Sequence, residues 1–525
     1  MNQTNIFDMM YPKYKITKPI RLIELFGDYG SQALALKYLG VQFEHWKLVE
    51  WAVKSIQAYK DIHFTNNDYY FRTGSYLSEE LYRILYNLGI SQNYNEPMTE
   101  EQIKRLGYEK AEQIYKNILI THNLVNIQNI KGKDLEIVDT DKYEYIMTYS
   151  FPCQDLSLAG KGKGMSDTST RSGLLWEVER ILFECKELGT MPQVLLMENV
   201  PQVHCLDNME DFHKWQVRLE KLGYKNYWQD LIATDYGIPQ TRNRCFMVSI
   251  LGDYSYTFPK PIPLKLKLKD MLEDNVDEKY YLSDKMISFF IKNEEKQKEN
   301  GNGFRFNVSD GNTIAKTITT CAGSRMDDNF IGNKGLQETL EKNKITDTCY
   351  IDAYNKTINE KTSGTITTGV SYRNNTFLAI KNNNSKGYLE AYEGDGVDIS
   401  SRMEYHRGTV QKNKTQTLST MGGENNGVVV KTIGNYSPSN HNASRIVDKE
   451  CSAPTVMENH GTFTATQTSD LRIRKLTPKE CFRLMGVKDE DFEKCAKNQS
   501  DSSLYHLAGD SIVVNVLMAI FKELL

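Results

Sequence analysis

The chain has no uninterrupted run of about 18 apolar residues, and residues 1–18 lack the basic-then-apolar order of a secretory leader. Neither a membrane span nor export is indicated, and a cytoplasmic monomer is the expectation. Its nine cysteines form no Cys-x-x-Cys pair, and none lies at zinc-finger spacing from a histidine, since His204 and Cys205 are adjacent and alone. No disulfide framework and no metal site are expected, and the thiols read as reduced. A surplus of basic charge is also missing, with a formal net charge of −4. That total does not advertise nucleic-acid binding, but neutralising phosphates needs only a local basic face. Lys260, Lys265, Lys267 and Lys269 could supply part of one, or could line the solvated side of an alternating strand. At 525 residues the chain is too long for one ordinary domain, so two lobes with insertions are expected.

What is present centres on Tyr149-Ser150-Phe151-Pro152-Cys153-Gln154, which follows the apolar run Tyr145-Ile146-Met147-Thr148. The stretch reads as a loop leaving the end of a buried strand. A cysteine just after proline at such a strand end can face solvent, which suits a thiolate nucleophile, although a packed core thiol is the commoner role of a lone cysteine. Three further stretches bear on this choice: Phe26-Gly27-Asp28-Tyr29-Gly30, Met197-Glu198-Asn199-Val200 and Gln240-Thr241-Arg242-Asn243-Arg244. In this order around Pro-Cys-Gln, they make the chain resemble a DNA (cytosine-5-)-methyltransferase. The resemblance covers both ends and the first half of the chain and leaves out most of residues 261–470.

Periodicity supplies the expected frame. Residues 20–26 read as a strand, 27–30 as a glycine turn and 31–39 as a helix, followed by a strand at 43–49 that closes on Glu50-Trp51. An acidic residue one strand after such a turn can accept hydrogen bonds from a ribose. Residues 60–120 match no motif and read as a helical insertion packed outside. Residues 194–197 form a short apolar strand that delivers Glu198 to the sheet edge carrying Cys153. A helix at 209–222 and a strand at 245–250 follow. Strands alternating with helices predict an α/β fold with a doubly wound, largely parallel, Rossmann-like sheet that binds ligands at the strand ends. Near the C-terminus, Thr477-Pro478-Lys479-Glu480 specifies a capped short helix, and His506-Leu507-Ala508-Gly509-Asp510-Ser511 leads a terminal apolar helix.

The resemblance implies roles. Residues 1–258 and 471–525 would form the catalytic domain, binding S-adenosylmethionine through Phe26, Gly27, Tyr29, Gly30, Glu50, Trp51, Asn126, Pro152, Asp510 and Ser511. Asp28 and Asp510 stand where the family usually has Gly and Asn, and Asn126 stands where an acidic residue commonly touches the adenine. Cys153 would be the nucleophile and Glu198 the acid on the base's N3/N4 edge. Arg242 would contact the base's O2 and fix Glu198, while Arg244 would brace the site or a phosphate. Residues 160–164 would belong to a lid over double-stranded DNA, with Arg171 and Gln240 among the DNA contacts.

Residues 259–470 would form a smaller, β-rich target recognition domain. Here Lys316-Thr317-Ile318-Thr319-Thr320 recurs approximately at 364–368 and 416–420 and more faintly at 453–456, each copy followed by a second short β-like run, as in repeated hairpins. Such hairpins could be plain scaffold, or could carry loops that read base edges, with Arg325 and Arg373 as candidate readers. The leading expectation is a restriction-modification type enzyme, with a cognate endonuclease, if there is one, acting separately. The alternatives are an RNA cytosine-5 methyltransferase and a catalytically silent DNA-binding relative.

Overall fold

The computed structural model describes residues 11–65, 77–152, 171–299, 305–306, 308–332 and 473–525, with the backbone of short strands between 350 and 447. The chain forms two compact units, Met1–Val276 with Gly311–Asn329 and Leu476–Leu525, and Asp277–Asp310 with Phe330–Lys475. Gly311–Asn329, expected in the recognition domain, therefore packs in the first unit.

That unit is built on a six-stranded sheet. Its strands are β1 (Ile20–Leu25), β2 (Phe43–Val49), β3 (Glu144–Tyr149), β4 (Val194–Asn199), β5 (Tyr224–Ile232) and β6 (Asn243–Leu251), in the order β2-β1-β3-β4-β6-β5. β1 runs parallel to β2 and β3, and β3 parallel to β4, whereas β6 is antiparallel to both neighbours. Register aligns Ile23 with Met147 and Met147 with Leu195 on one face, which packs against helices α6 (Leu175–Leu188) and α7 (Met209–Leu222). On the other face Leu22, Ile146, Leu196 and Val248 are equally buried, as continuous apolar strands covered on both sides require. β5 escaped the sequence reading because it is an edge strand whose residues are mostly half-exposed and carry no apolar pattern.

Helix α1 (Ser31–Tyr38) follows β1, and α2 (Val53–His63) follows β2. The expected insertion contains α3 (Ser78–Leu88), α4 (Glu100–Leu106) and α5 (Tyr108–Ile120), which share a small core around Leu81, Leu85, Ile103 and Ile114. In the second unit, α8 (Asp284–Glu299) presents Phe290 to Phe306 and Phe330. The chain returns as α9 (Pro478–Leu484), α10 (Asp489–Ala496), α11 (Asp501–Asp510) and α12 (Val514–Leu524). The capping box read from sequence is present, with Thr477 accepting from Glu480 N and Glu480 accepting from Thr477 N. Residues 501–524 are apolar enough to pass for a membrane-crossing helix, but the helix breaks at Ser511 and α12 packs on α1 in the core.

The first expected hairpin does not form. Residues 316–320 have the threonine-rich composition of a strand, but Ala315 just before them bridges to Gln240. Phe330–Ile331 pairs with Val308–Ser309 and Arg474–Lys475. Composition gave the extended backbone there but not its partner. Antiparallel pairing does occur in the second unit, as between Leu378–Lys381 and Tyr388–Ala391. The repeats at 364–368, 416–420 and 453–456, and with them Arg373, lie outside the described residues.

Candidate active site

The carboxyl ends of β1, β2, β3 and β4 open into one cavity of about 460 Å³, within the range of small-molecule sites. At the end of β1 the chain turns through two residues with positive φ, Phe26 (58°) and Asp28 (45°), and then Gly30 (82°). Asp tolerates the left-handed region by local hydrogen bonding, and Gly30 has no Cβ to collide with His63 and Tyr59. The turn aims Phe26 and Asp28 into the cavity, and β2 delivers Glu50 and Trp51 to the same wall.

Glu50 accepts from Ala52 N at 2.8 Å and Asp28 N at 3.1 Å. Burial raises its pKa from 4.5 to about 7; those two amides oppose the rise and Asp510 adds to it. Asp28 rises well above the usual carboxylate range, chiefly by burial and further through Asp510 and Glu50, against the hydroxyls of Ser511 and Ser55. Both hydroxyls donate to its carboxyl, Ser55 at 2.8 Å. Asp510 lines the cavity and pairs with His506 at 3.2 Å. Three carboxyls thus meet at one end of the cavity.

At the other end, Glu198 leaves β4 and Arg244 leaves β6, on the same face of an antiparallel pair, with Arg244 Nε 3.2 Å from Glu198 Oε1. Burial raises the pKa of Glu198, and the charges of Arg244 and then Arg242 oppose the rise. Between the two ends lies the start of the Pro-Cys-Gln loop. Asn199 Nδ2 donates to Phe151 O at 3.0 Å and Ser150 Oγ to Phe26 O at 3.3 Å, fixing the backbone as far as Pro152, which lines the cavity. Cys153 and the 160–164 loop lie outside the described residues, as does the side chain of Arg171.

Of the expected ligand contacts, Phe26, Glu50, Trp51, Asn126, Pro152 and Asp510 line the cavity. Gly27, Tyr29, Gly30 and Ser511 do not. Tyr29 is fully buried and stacks on Phe482 with ring centroids 5.2 Å apart, so it is a core residue, and Ser511 acts through Asp28. Gln240, expected at DNA, is also fully buried: its Nε2 donates to Leu484 O and its Oε1 accepts from Ile318 N. Arg242 reaches the cavity wall, but its two terminal nitrogens donate to the carbonyls of Ile318, Gly509 and Ser511, while its buried Nε has no hydrogen-bond partner among the described residues. Burial and then the charge of Arg244 lower its pKa to about 9, still cationic at neutral pH. The arginine expected to brace, Arg244, is therefore the one paired with Glu198.

Residues 87–525 match the sequence pattern of the family described as C-5 cytosine-specific DNA methylase. This chain belongs to that family. It is 36% identical over 271 residues to the type II methyltransferase M2.ScrFI of Lactococcus lactis subsp. cremoris, an alignment covering 51% of this chain and 72% of that protein. It is 35% identical over 293 residues to the orphan methyltransferase M.SssI of Spiroplasma monobiae, covering 54% and 73%. The orphan methyltransferase M.SPRI of Bacillus phage SPR is 27% identical over 410 residues, covering 71% and 81%.

The methylase's insertion, expected to stay outside the chemistry, contributes Tyr94, Asn95, Glu96 and Pro97 to the cavity. Ser55 and Gln128 line it too. None of these carries a local signal in sequence, because only the fold brings them in. Away from the cavity, His204, Asp230 and Cys245 form a group with metal-ligand chemistry. His204 Nε2 and Asp230 Oδ1 stand 2.8 Å apart. At that separation the two side chains are hydrogen-bonded to one another.

Proposed function

We propose that this methylase transfers the methyl group of S-adenosylmethionine to C5 of cytosine in a specific double-stranded DNA sequence. One observation carries this proposal: a single cavity joins the Asp28, Glu50 and Asp510 carboxyls to the Glu198–Arg244 pair and to Pro152, the residue before Cys153. The cofactor would supply an electrophilic methyl group, held with its ribose on Glu50 and its cationic centres toward the carboxyl-rich end. Cytosine C5 is a poor nucleophile, so Cys153 adds as a thiolate to C6 while Glu198, whose pKa burial raises, gives a proton to N3. With the cofactor bound, C5 would take the methyl group as the cofactor leaves as a neutral thioether, the C5 proton would leave to a base, the thiolate would be expelled as the C5–C6 double bond re-forms, and N3 would return its proton to Glu198. Arg244 holds the Glu198 carboxyl in place. Because C6 is covered in stacked duplex, the target base must be flipped out.

The 259–470 region is the proposed DNA reader. Arg325 lies exposed on a turn whose backbone is organised by Asp328, which accepts from Ser324 N and Arg325 N. Duplex DNA carrying 5-fluorocytosine at the target is expected to form a covalent adduct that needs both cofactor and Cys153, because fluorine cannot leave as the C5 proton does. Active enzyme that forms no such adduct would rule out addition at C6. Tritiated methyl transfer to DNA compared with RNA separates the proposal from RNA methylation and from silent DNA binding.

A pH dependence arises from Glu50. Its ionised form is the better acceptor for ribose hydroxyls, and its pKa is about 7. Affinity for S-adenosylmethionine is expected to rise between pH 6 and pH 8 and then level, whereas Glu50→Gln binds weakly with a flatter profile. Calorimetric titration measures this, and a flat native profile would detach Glu50 from cofactor binding.

A further inference from the structure

Gly311–Asn329 packs in the first unit although the sequence on either side of it, Asp277–Asp310 and Phe330–Lys475, builds the second. It acts as a strap laid over the Gln240 segment. Thr241 N donates to Ala315 O at 2.9 Å and Ala315 N to Pro239 O at 2.8 Å. Gln240 Oε1 accepts from Ile318 N at 3.0 Å, and Arg242 Nη1 donates to Ile318 O at 3.0 Å. The strap lies so close to α11 that a Cβ on Gly509 would stand 2.2 Å from Thr320 N, a backbone atom with no room to yield.

The other limb of Arg242 turns toward the cavity. Its Nη2 donates to Gly509 O at 2.9 Å and Ser511 O at 2.8 Å. The Ser511 hydroxyl donates to the Asp28 carboxyl, and Asp28 N donates to Glu50 at 3.1 Å. Hydrogen bonds thus run without a break from Ile318 through Arg242, Ser511 and Asp28 to Glu50. A planar guanidinium can hold three carbonyls at fixed angles, whereas an ammonium on a flexible stem cannot.

Resting on the reading that this cavity binds S-adenosylmethionine, we propose that Arg242 is a positioning residue that sets the cofactor end of the cavity through Ser511 and Asp28, under control of the strap, and makes no contact with the target base. The strap carries Arg325, and both its ends continue into the second unit, which holds most of the proposed DNA reader, so a shift of Ile318 when DNA engages reaches Glu50 by this route. Asp28 then has a use that glycine could not serve: it is the link between Ser511 and Glu50.

The test is equilibrium binding of S-adenosylmethionine without DNA, with thermal melting to confirm folding. Arg242→Lys is expected to weaken binding about tenfold and Gln240→Met about fivefold, within the usual range of coupling between sites. Gln240 does not line the cavity, and methionine keeps its volume while losing the acceptor for Ile318 N, so this variant carries the test if Arg242→Lys does not fold. Both losses are expected to shrink below about twofold in an Asp28→Gly background, where the link is cut and glycine accepts the positive φ. Unchanged cofactor affinity together with lost turnover would place Arg242 on the base and overturn the proposal. Losses of equal size in both backgrounds would overturn the route through Asp28 alone. A native protein that does not bind S-adenosylmethionine would overturn the functional reading beneath it, and the proposal with it.

Discussion

Cys153→Ser is expected to reduce methyl transfer to below about 1% of native while S-adenosylmethionine affinity changes by no more than about twofold, since losing the covalent route raises the barrier by several kcal/mol. The two readouts separate because the proposed cofactor end of the cavity is built from other residues, Asp28, Glu50 and Asp510 among them. A serine hydroxyl at this position keeps the shape but is almost never ionised at neutral pH, and among the described residues no thiol lines the cavity. Rapid-quench assays with saturating cofactor and DNA measure the loss. Residual transfer above about 1%, with the fluorocytosine adduct retained, would assign the nucleophile elsewhere.

The parts of this site legible in sequence are those whose chemistry sits beside a strand end. Glu50, Glu198 and Pro152 could be placed because an apolar run ends just before each, and such a run in an α/β sheet delivers the next few residues to one edge. Asp28 and Asp510 stand out in sequence only as departures from a resemblance, and their juxtaposition is a matter of packing between Asp28 and Ser511, 483 positions apart. Motif membership did not reveal which arginine of Gln240-Thr241-Arg242-Asn243-Arg244 faces Glu198. Strand alternation does: Arg244 lies in β6 on the face of Phe246, the residue paired with Glu198, whereas Arg242 precedes the strand and turns to the strap. Tyr94 and its neighbours were illegible because a loop between helices carries no periodic signal of what it will meet. The strap was misread for a related reason, since a Thr-Ile-Thr-Thr run announces extended backbone and leaves its partner unspecified.

The second large effect concerns Glu198. Glutamine at this position retains the volume and a hydrogen-bonding edge for the base but has no proton to give, so Glu198→Gln is expected to lower kcat by about 10²–10⁴-fold with a small change in KM for DNA. The pH profile distinguishes this from a packing defect. Burial holds the Glu198 pKa above the ordinary carboxylate value, and Arg244 limits the rise. The active acid form is therefore populated below that raised pKa and lost above it, which gives native kcat an alkaline limb that Glu198→Gln should lack. Removing the opposing charge with Arg244→Met should move that limb to higher pH. Stability gives an independent sign. A carboxyl whose folded pKa exceeds its unfolded one contributes fully below the unfolded pKa, and its contribution disappears as pH rises through the folded pKa. Native protein loses this contribution as pH rises from the ordinary carboxylate value through the raised one and the amide has none to lose, so the melting temperature of Glu198→Gln should gain on that of native across that interval. A variant that melts progressively lower than native as pH rises through that interval would mean that the ion pair with Arg244 outweighs the burial of the charge, and Glu198 would then be an anchored carboxylate unfit to act as the acid.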